Sequence, residues 1–327
     1  MRAEWLKKLT PEWNWTWFDT DAPMRRSARM WRSLAFRCHA GLAVSRINDD
    51  IIAHLGSSTF ELIWIDKGVF LRNETVQQLR KSTKRLVHFT PDAAFRTNVS
   101  RHFEHSLSLY DLLVTTKSFE LGDYARRVGA DHVMLTTQGF DPQVHYPRTT
   151  DDQRRREVAF VGLAEADRER CLEELLAREV PVRLAGRGWA GFLRRAGNDP
   201  NLTFVGEECY GDDYARLLSS VWVGLGLISK KFPELHTTRT FEIPACGAAL
   251  ATENTAETRQ YFHADEAIFF DNYSTLADRL KKLLTEEDIP TLRRIAASGH
   301  RRVISDQRDY GSILSSILSH EHVRVQA

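Results

Sequence analysis

The sequence predicts an α/β protein made of two Rossmann-like domains, each wound on a parallel sheet, and three observations carry that prediction. Short apolar runs alternate with helical stretches from Leu62 onward, which is the spacing of βαβ units. A charged and polar run, Asp151 to Glu157, interrupts the alternation near the middle, and the pattern restarts at Val158. A chain of 327 residues is long for one hydrophobic core and natural for two. The expected division is residues 1–148, residues 149–305 and a closing segment, 306–327.

The elements follow in order. Residues 3–9 read as a short helix, and Trp13, Trp15 and Trp17 then alternate with polar residues at the period of a strand, as sheet core does. Residues 25–55 are helical by pattern, with Ile47, Ile51 and Leu55 on one face. Strands are expected at Leu62–Ile65, Arg85–Phe89, Leu112–Thr115 and Val133–Leu135, with helices at Glu74–Leu79, Ser100–Tyr110 and Tyr124–Val128 between them. Asp151 to Glu157 reads as the linker. Beyond it, strands are expected at Val158–Gly162, Val182–Ala185, Leu202–Val205, Val221–Ile228 and Ala267–Phe270, the fourth apolar throughout and therefore central. Helices are expected at Arg168–Leu176 and Tyr214–Leu218, with a capped start at Asn254 and Glu257. Leu276, Leu280, Leu283 and Leu284 mark one later amphipathic helix, and Ile313, Leu314, Ile317 and Leu318 mark another.

Composition narrows the function. With 45 basic and 44 acidic residues the net charge is +1, so the electrostatic footprint of a general nucleic-acid binder is missing and no nucleic-acid partner is expected. Cys38, Cys171, Cys209 and Cys246 lie far apart without zinc-site spacing, which fits reduced thiols in a cytoplasmic protein. The longest apolar run, Val221–Ile228, is far short of the ~20 residues of a membrane span. Lys7 and Lys8 interrupt the apolar residues of the first helix, so it does not read as a signal peptide.

The chemistry is densest between Glu234 and Glu257. Glu234 and Glu242 stand eight positions apart, followed by Pro244 and the small residues Ala245, Cys246, Gly247 and Ala248. Proline belongs in the first turn of a helix, which puts Glu242 at or just before that turn, where the dipole favours a carboxylate. Such a carboxylate can accept hydrogen bonds from a ribose diol. The small residues let a ligand or another backbone come close, and free N–H groups at a helix start suit phosphate oxygens. A nucleoside diphosphate has these parts. An ordinary crossover whose first turn carries an acid gives the same pattern.

The block His236-Thr237-Thr238-Arg239-Thr240-Phe241-Glu242-Ile243-Pro244-Ala245-Cys246-Gly247 resembles the signature of CgeB-like glycosyltransferases, a branch of the group-1 class with the GT-B fold. In that class a Glu-x7-Glu pair precedes an Ala-x-x-Gly type turn. The phrases ELIWIDKG, HFTPD, YDLLVTTK and QGFDPQVHYP resemble the acceptor-side domain of the same family. The resemblance implies transfer of a sugar from a nucleotide-sugar donor to an acceptor it does not identify. It also implies retention of stereochemistry, a cleft between the domains, and a C-terminal helix, Tyr310 to Ser319, returning to the first domain. Members begin with a further strand and a glycine-rich loop before the helix that here starts near Met1. Either the start lies upstream or the first domain lacks its first strand.

Residue by residue, the resemblance implies catalytic roles for Glu234 and His236 near the donor sugar and for Arg239 at the leaving diphosphate. It assigns the ribose to Glu242 and places Thr240, Gly247 and Lys230 around the donor, with Gly139 of the Gly-Phe-Asp turn beside it. Gly162, Gly186 and Gly188 follow the first two strands of the second domain, where donor-facing loops lie. Arg170, or its neighbour Arg168, is the further cation expected near the phosphates. No metal-ligand spacing accompanies these residues, so neither a metal nor another cofactor is expected. Two other functions fit the same fold: a non-catalytic nucleotide-sugar or glycan-binding subunit, and a nucleotide-sugar epimerase.

Overall fold

The structure, a computed structural model, describes residues 1–96, 99–231 and 233–323. The chain divides into two units, one formed by Met1–Thr137 together with the segment from Ile313, the other by Gln138–Ser312. The second unit thus begins earlier than the boundary expected after Arg148.

The first unit opens with helices α1 (Arg2–Leu9), α2 (Asp21–Arg26), α3 (Arg29–Cys38) and α4 (Leu42–Leu55). The single helical stretch expected over 25–55 is broken twice. Ser27 leaves α2 in an extended conformation, and α3 ends at His39, which is left-handed, before Gly41 at φ +95°. A side chain at Gly41 would strike Leu34 and Trp31, so the turn needs glycine on both counts. A parallel sheet follows in the order β1-β2-β3-β4, with β1 at Phe60–Asp66, β2 at Thr83–Thr90, β3 at Leu112–Thr115 and β4 at Val133–Leu135. Helices α5 (Asn73–Lys81), α6 (Arg101–Ser106) and α7 (Leu121–Val128) connect them. Both faces of β2 are covered: Leu86 joins Ile47, Ile65 and Leu113, while Val87 and Phe89 join Leu6, Leu62, Leu112 and Val114. That double burial is why its apolar residues Leu86 and Val87 stand side by side instead of alternating with polar ones.

Trp13, Trp15 and Trp17 form no strand. Their rings stack instead, with centroids 5.8 and 5.2 Å apart. A cavity of about 690 Å³ lies between this segment and β1.

The second unit carries a six-stranded parallel sheet in the order β10-β9-β8-β5-β6-β7. Its strands are β5 (Arg155–Val161), β6 (Val182–Ala185), β7 (Leu202–Gly206), β8 (Val221–Leu225), β9 (Ala249–Glu253) and β10 (Ile268–Phe270). Its helices are α8 (Ala166–Ala177), α9 (Ala190–Ala196), α10 (Gly211–Ser219), α11 (Arg239–Ala245), α12 (Ala256–Tyr261), α13 (Tyr273–Leu283) and α14 (Ile289–Ser305). The run expected as linker is divided: Asp151–Gln153 form a short 3-10 turn, and Arg155 to Glu157 begin β5. Arg155 and Arg156 are exposed there because the strand enters the sheet from solvent, with Arg155 opposite Val221. Central β8 is buried along its whole length, as its composition predicts, and leaves the sheet at Leu225, three residues earlier than expected. The last helix, α15 (Tyr310–Leu318), contributes Ile313, Leu314 and Ile317 to the core of the first unit. Among the described residues no helix is long and apolar enough to cross a membrane.

Candidate functional site

The strand order of the second sheet fixes where a ligand can lie. From β5 the chain moves one way, through β6 to β7, and then crosses back to place β8 on the other side of β5. In open parallel sheets, the crevice at the carboxyl ends of two such strands is the usual ligand site, because the loops diverge there. Gly162 follows β5, Gly186 and Gly188 follow β6, and Gly226 follows β8.

Two of these glycines have a visible steric duty. A methyl group on Gly186 would lie 2.0 Å from the Gly162 carbonyl oxygen, and Gly186 holds φ +127°. The same carbonyl accepts a hydrogen bond from the Trp189 indole at 2.9 Å. The two loops are therefore pressed together, backbone on backbone, at the rim of the crevice. Gly188, at φ +89°, continues the turn beside Ala164.

Across the mouth of the crevice lies Arg239, the first residue of α11. Its guanidinium donates to the carbonyls of Val161, at the end of β5, and Leu227, just past β8, each at 3.3 Å. It is thus fixed to both strands of the switch point. Its carbon stands 5.7 Å from the Phe160 ring centroid, and Arg168 stands at 5.7 Å from the same ring. Arg168 is buried, bonded to Glu165 at 2.9 Å and to the Leu163 carbonyl at 3.0 Å. Burial, and then the Arg239 charge, pull the Arg168 guanidinium below its ordinary range, while Glu165 and Glu234 oppose that shift. The Nε of each arginine is buried without a hydrogen-bond partner. Two guanidiniums held over one ring repel each other, and an anion between them removes that repulsion. Arg170, by contrast, is exposed and bonded to Asp167, so Arg168 is the arginine that α8 turns inward. Lys230 is exposed and paired with Glu253.

The helix α11 starts earlier than Pro244 suggests. Its first residue is Arg239, so Glu242 does lie in the first turn, whereas Pro244 is inside the helix, one residue from its end. Gly247 accordingly follows a helix end, not a helix start. At φ +82° it donates its N–H to the Pro244 carbonyl, and its own carbonyl accepts from Arg154. It offers no free donor to a phosphate. Thr240 is fully buried, and its hydroxyl accepts from the Thr237 N–H, closing the turn into α11.

Glu242 is largely buried and held from two sides. The Tyr214 hydroxyl of α10 donates to Oε2 at 2.8 Å, and His145 Nε2 stands 3.8 Å from Oε1, beyond hydrogen-bond distance. The His145 ring lies edge-on to Tyr214 and accepts the Asp141 N–H on Nδ1 at 3.0 Å. Burial lowers the His145 pKa, against the pull of Glu242 and Asp141. Tyr214 is raised far above its ordinary value, chiefly by burial and then by Glu242.

His236 is held within the protein by two partners. It is 2% exposed, its Nε2 accepts the Gln138 N–H at 3.2 Å, and its Nδ1 pairs with Glu257 at 3.1 Å. The Tyr261 hydroxyl donates to the same Glu257 oxygen at 2.8 Å. With both nitrogens engaged, His236 links the Gln138–Gly139 turn to α12. Gly139 itself is buried in that turn. Glu234 is half-buried and near enough to Arg168 to favour its charge. Tyr214 and His145 stand against Glu242 without having been singled out by motif reasoning, which named Arg168 only as the alternative to Arg170.

Residues 154–319, just over half of the chain, match the family model described as glycosyl transferase-like. No curated protein matches. Among solved structures, the chain is similar to Anabaena Alr3699/HepE in complex with UDP-glucose, at 15% identity and TM-score 0.62, covering 84% of this chain and 80% of that one. Sucrose-phosphate synthase from Thermosynechococcus elongatus gives 16% and 0.61 over 88% and 78% of the two chains. The α,α-trehalose 6-phosphate synthase of Burkholderia multivorans gives 14% and 0.59 over 91% and 77%. At such identities the likeness establishes the GT-B fold.

Proposed function

Because the chain belongs to the glycosyl transferase-like family, its chemistry is glycosyl transfer, and we propose that the second unit binds the nucleoside diphosphate-sugar donor at the β5–β8 switch point. The observation that carries this is the pair of guanidiniums over Phe160, Arg239 half-buried and tied to both strand ends and Arg168 buried beside it. The diphosphate lies on these cations and the ribose on Glu242. In the reaction the bond from the sugar's anomeric carbon to the diphosphate breaks, and an acceptor oxygen forms the new bond. Negative charge then grows on the leaving diphosphate, where Arg239 and Arg168 are worth more than in the ground state. Glu234 faces the positive charge that grows on the sugar ring. Retention of stereochemistry and membership of the CgeB-like branch are the finer reading, resting on the Glu234–Gly247 block.

The experiment is a thermal-shift series with nucleoside diphosphates and their sugars, uridine first because a similar structure holds UDP-glucose. A ligand at 100 times its Kd adds about 2.7 kcal/mol of stability. We expect that shift with UDP and its loss in Arg239→Gln. If no nucleoside diphosphate shifts the wild type, the reading fails. With cations supplied by arginine, turnover should persist in chelator; complete loss restored by magnesium or manganese would count against that role.

A further inference from the structure

We infer that Tyr214 and His145 are positioning residues that preset the Glu242 carboxylate for the two ribose hydroxyls, so that the enzyme's preference for an intact ribose resides in a three-residue unit. The inference rests on the donor-site reading above. A glutamate side chain has three rotatable torsions, and one at the first turn of a seven-residue helix is not held by the helix itself. Here the Tyr214 hydroxyl, 8% exposed as a residue, fixes Oε2 at 2.8 Å, which leaves Oε1 turned toward His145 at a distance too long for a hydrogen bond. A ribose hydroxyl can enter at Oε1 without displacing any protein donor.

The state of His145 follows from its neighbours. Nδ1 accepts the Asp141 N–H, so the neutral ring carries its proton on Nε2, facing Glu242. The charged and titratable groups around it are Glu242 on α11, Tyr214 on α10, and Asp141 and Arg148 on its own segment. An imidazolium can no longer accept from Asp141, and its positive charge competes with the ribose for Oε1. Burial places that event below the ordinary histidine range. The Asp141 segment and the ribose carboxylate are therefore linked through one ring.

The test compares UDP with 2′,3′-dideoxyuridine diphosphate by calorimetry on the same protein preparation. A ratio of two affinities is unaffected if part of a variant is unfolded. Hydrogen bonds to a carboxylate predict that wild type prefers UDP by about 10- to 100-fold. Glu242→Gln should remove most of that preference. Tyr214→Phe should remove a comparable part while leaving dideoxy affinity unchanged. In wild type, UDP affinity should fall toward acid pH more steeply than dideoxy affinity, and His145→Gln should abolish the difference. If Glu242→Gln loses the preference but Tyr214→Phe and His145→Gln keep it at every pH, positioning is refuted and the donor reading stands. If Glu242→Gln itself keeps the preference, the ribose assignment is refuted, and with it the inference.

Discussion

Glu234 and Glu242 belong to one stretch of chain yet occupy different surroundings, and the difference predicts different kinetics. Glu242 is fixed by Tyr214, so the ribose contact proposed for it is equal in ground and transition states. Glu242→Gln should weaken donor and bare UDP alike, by about 1.5–3 kcal/mol. Glu234 stands by Arg168 and is expected to act only as charge develops, so Glu234→Gln should lower kcat while leaving UDP affinity nearly unchanged. Calorimetry and turnover on both variants check this, and matching defects would refute separate roles. Glu242 and Arg239 are legible in the sequence because they share one short block. Arg168 cannot be told from Arg170 by spacing alone, since the inward face of α8 depends on a helix start that sequence leaves open by a residue or two. Nor is the duty of His236 legible: Gln138 and Glu257, the groups that use up its nitrogens, lie 98 and 21 positions away.

Elements were read most reliably where burial dictates composition. β8 is apolar because it is buried along its whole length, so its presence follows from sequence, whereas the breaks at Ser27 and Gly41 fall inside a stretch whose helical pattern runs on past them. Helix α14 was legible in principle, since Leu292, Ile295, Ala296, Gly299 and Val303 form one buried stripe, though Gly299 dilutes it. That glycine is required by proximity: a methyl there would lie 2.5 Å from the Glu266 carbonyl. The loop after β6 allows a direct test. Gly186→Ala puts a side chain at φ +127° against the Gly162 backbone, a strain of about 1–3 kcal/mol and a fall in Tm of roughly 2–12 °C. Gly191→Ala in α9 is the control, because its methyl meets only the end of Arg195 at 3.7 Å and helix propensity favours alanine. Equal melting of both variants would show that the Gly162–Gly186 approach carries no constraint.

At the scale of the whole molecule, each unit has its own hydrophobic clusters. A donor held by the second unit should therefore slow amide exchange in β5, β8, α8 and α11, with β1 to β4 unchanged. Exchange measured by mass spectrometry with and without UDP checks it, and equal protection in both units would overturn the assignment of the donor to the second. The two-unit α/β organisation was legible from the restart of strand periodicity at Val158. The exact hand-over at Gln138 was not, because it rests on pairings such as Phe140 with Asp309, far along the chain.

The contribution of α15 to the first unit carries a consequence for biosynthesis. Ile313, Leu314 and Ile317 share a core with Val87, Phe89, Leu112 and Val114. A ribosome makes those three residues only after every residue of the second unit. At about 5–20 residues per second, roughly 10–35 s pass between the synthesis of Thr137 and that of Ile313. Through that interval one side of the nascent β1–β4 sheet lacks this helix, while the second unit is made to its last residue. The half of the protein that is translated first is thus the half that can finish folding last, and its waiting apolar surface is where a chaperone would be needed.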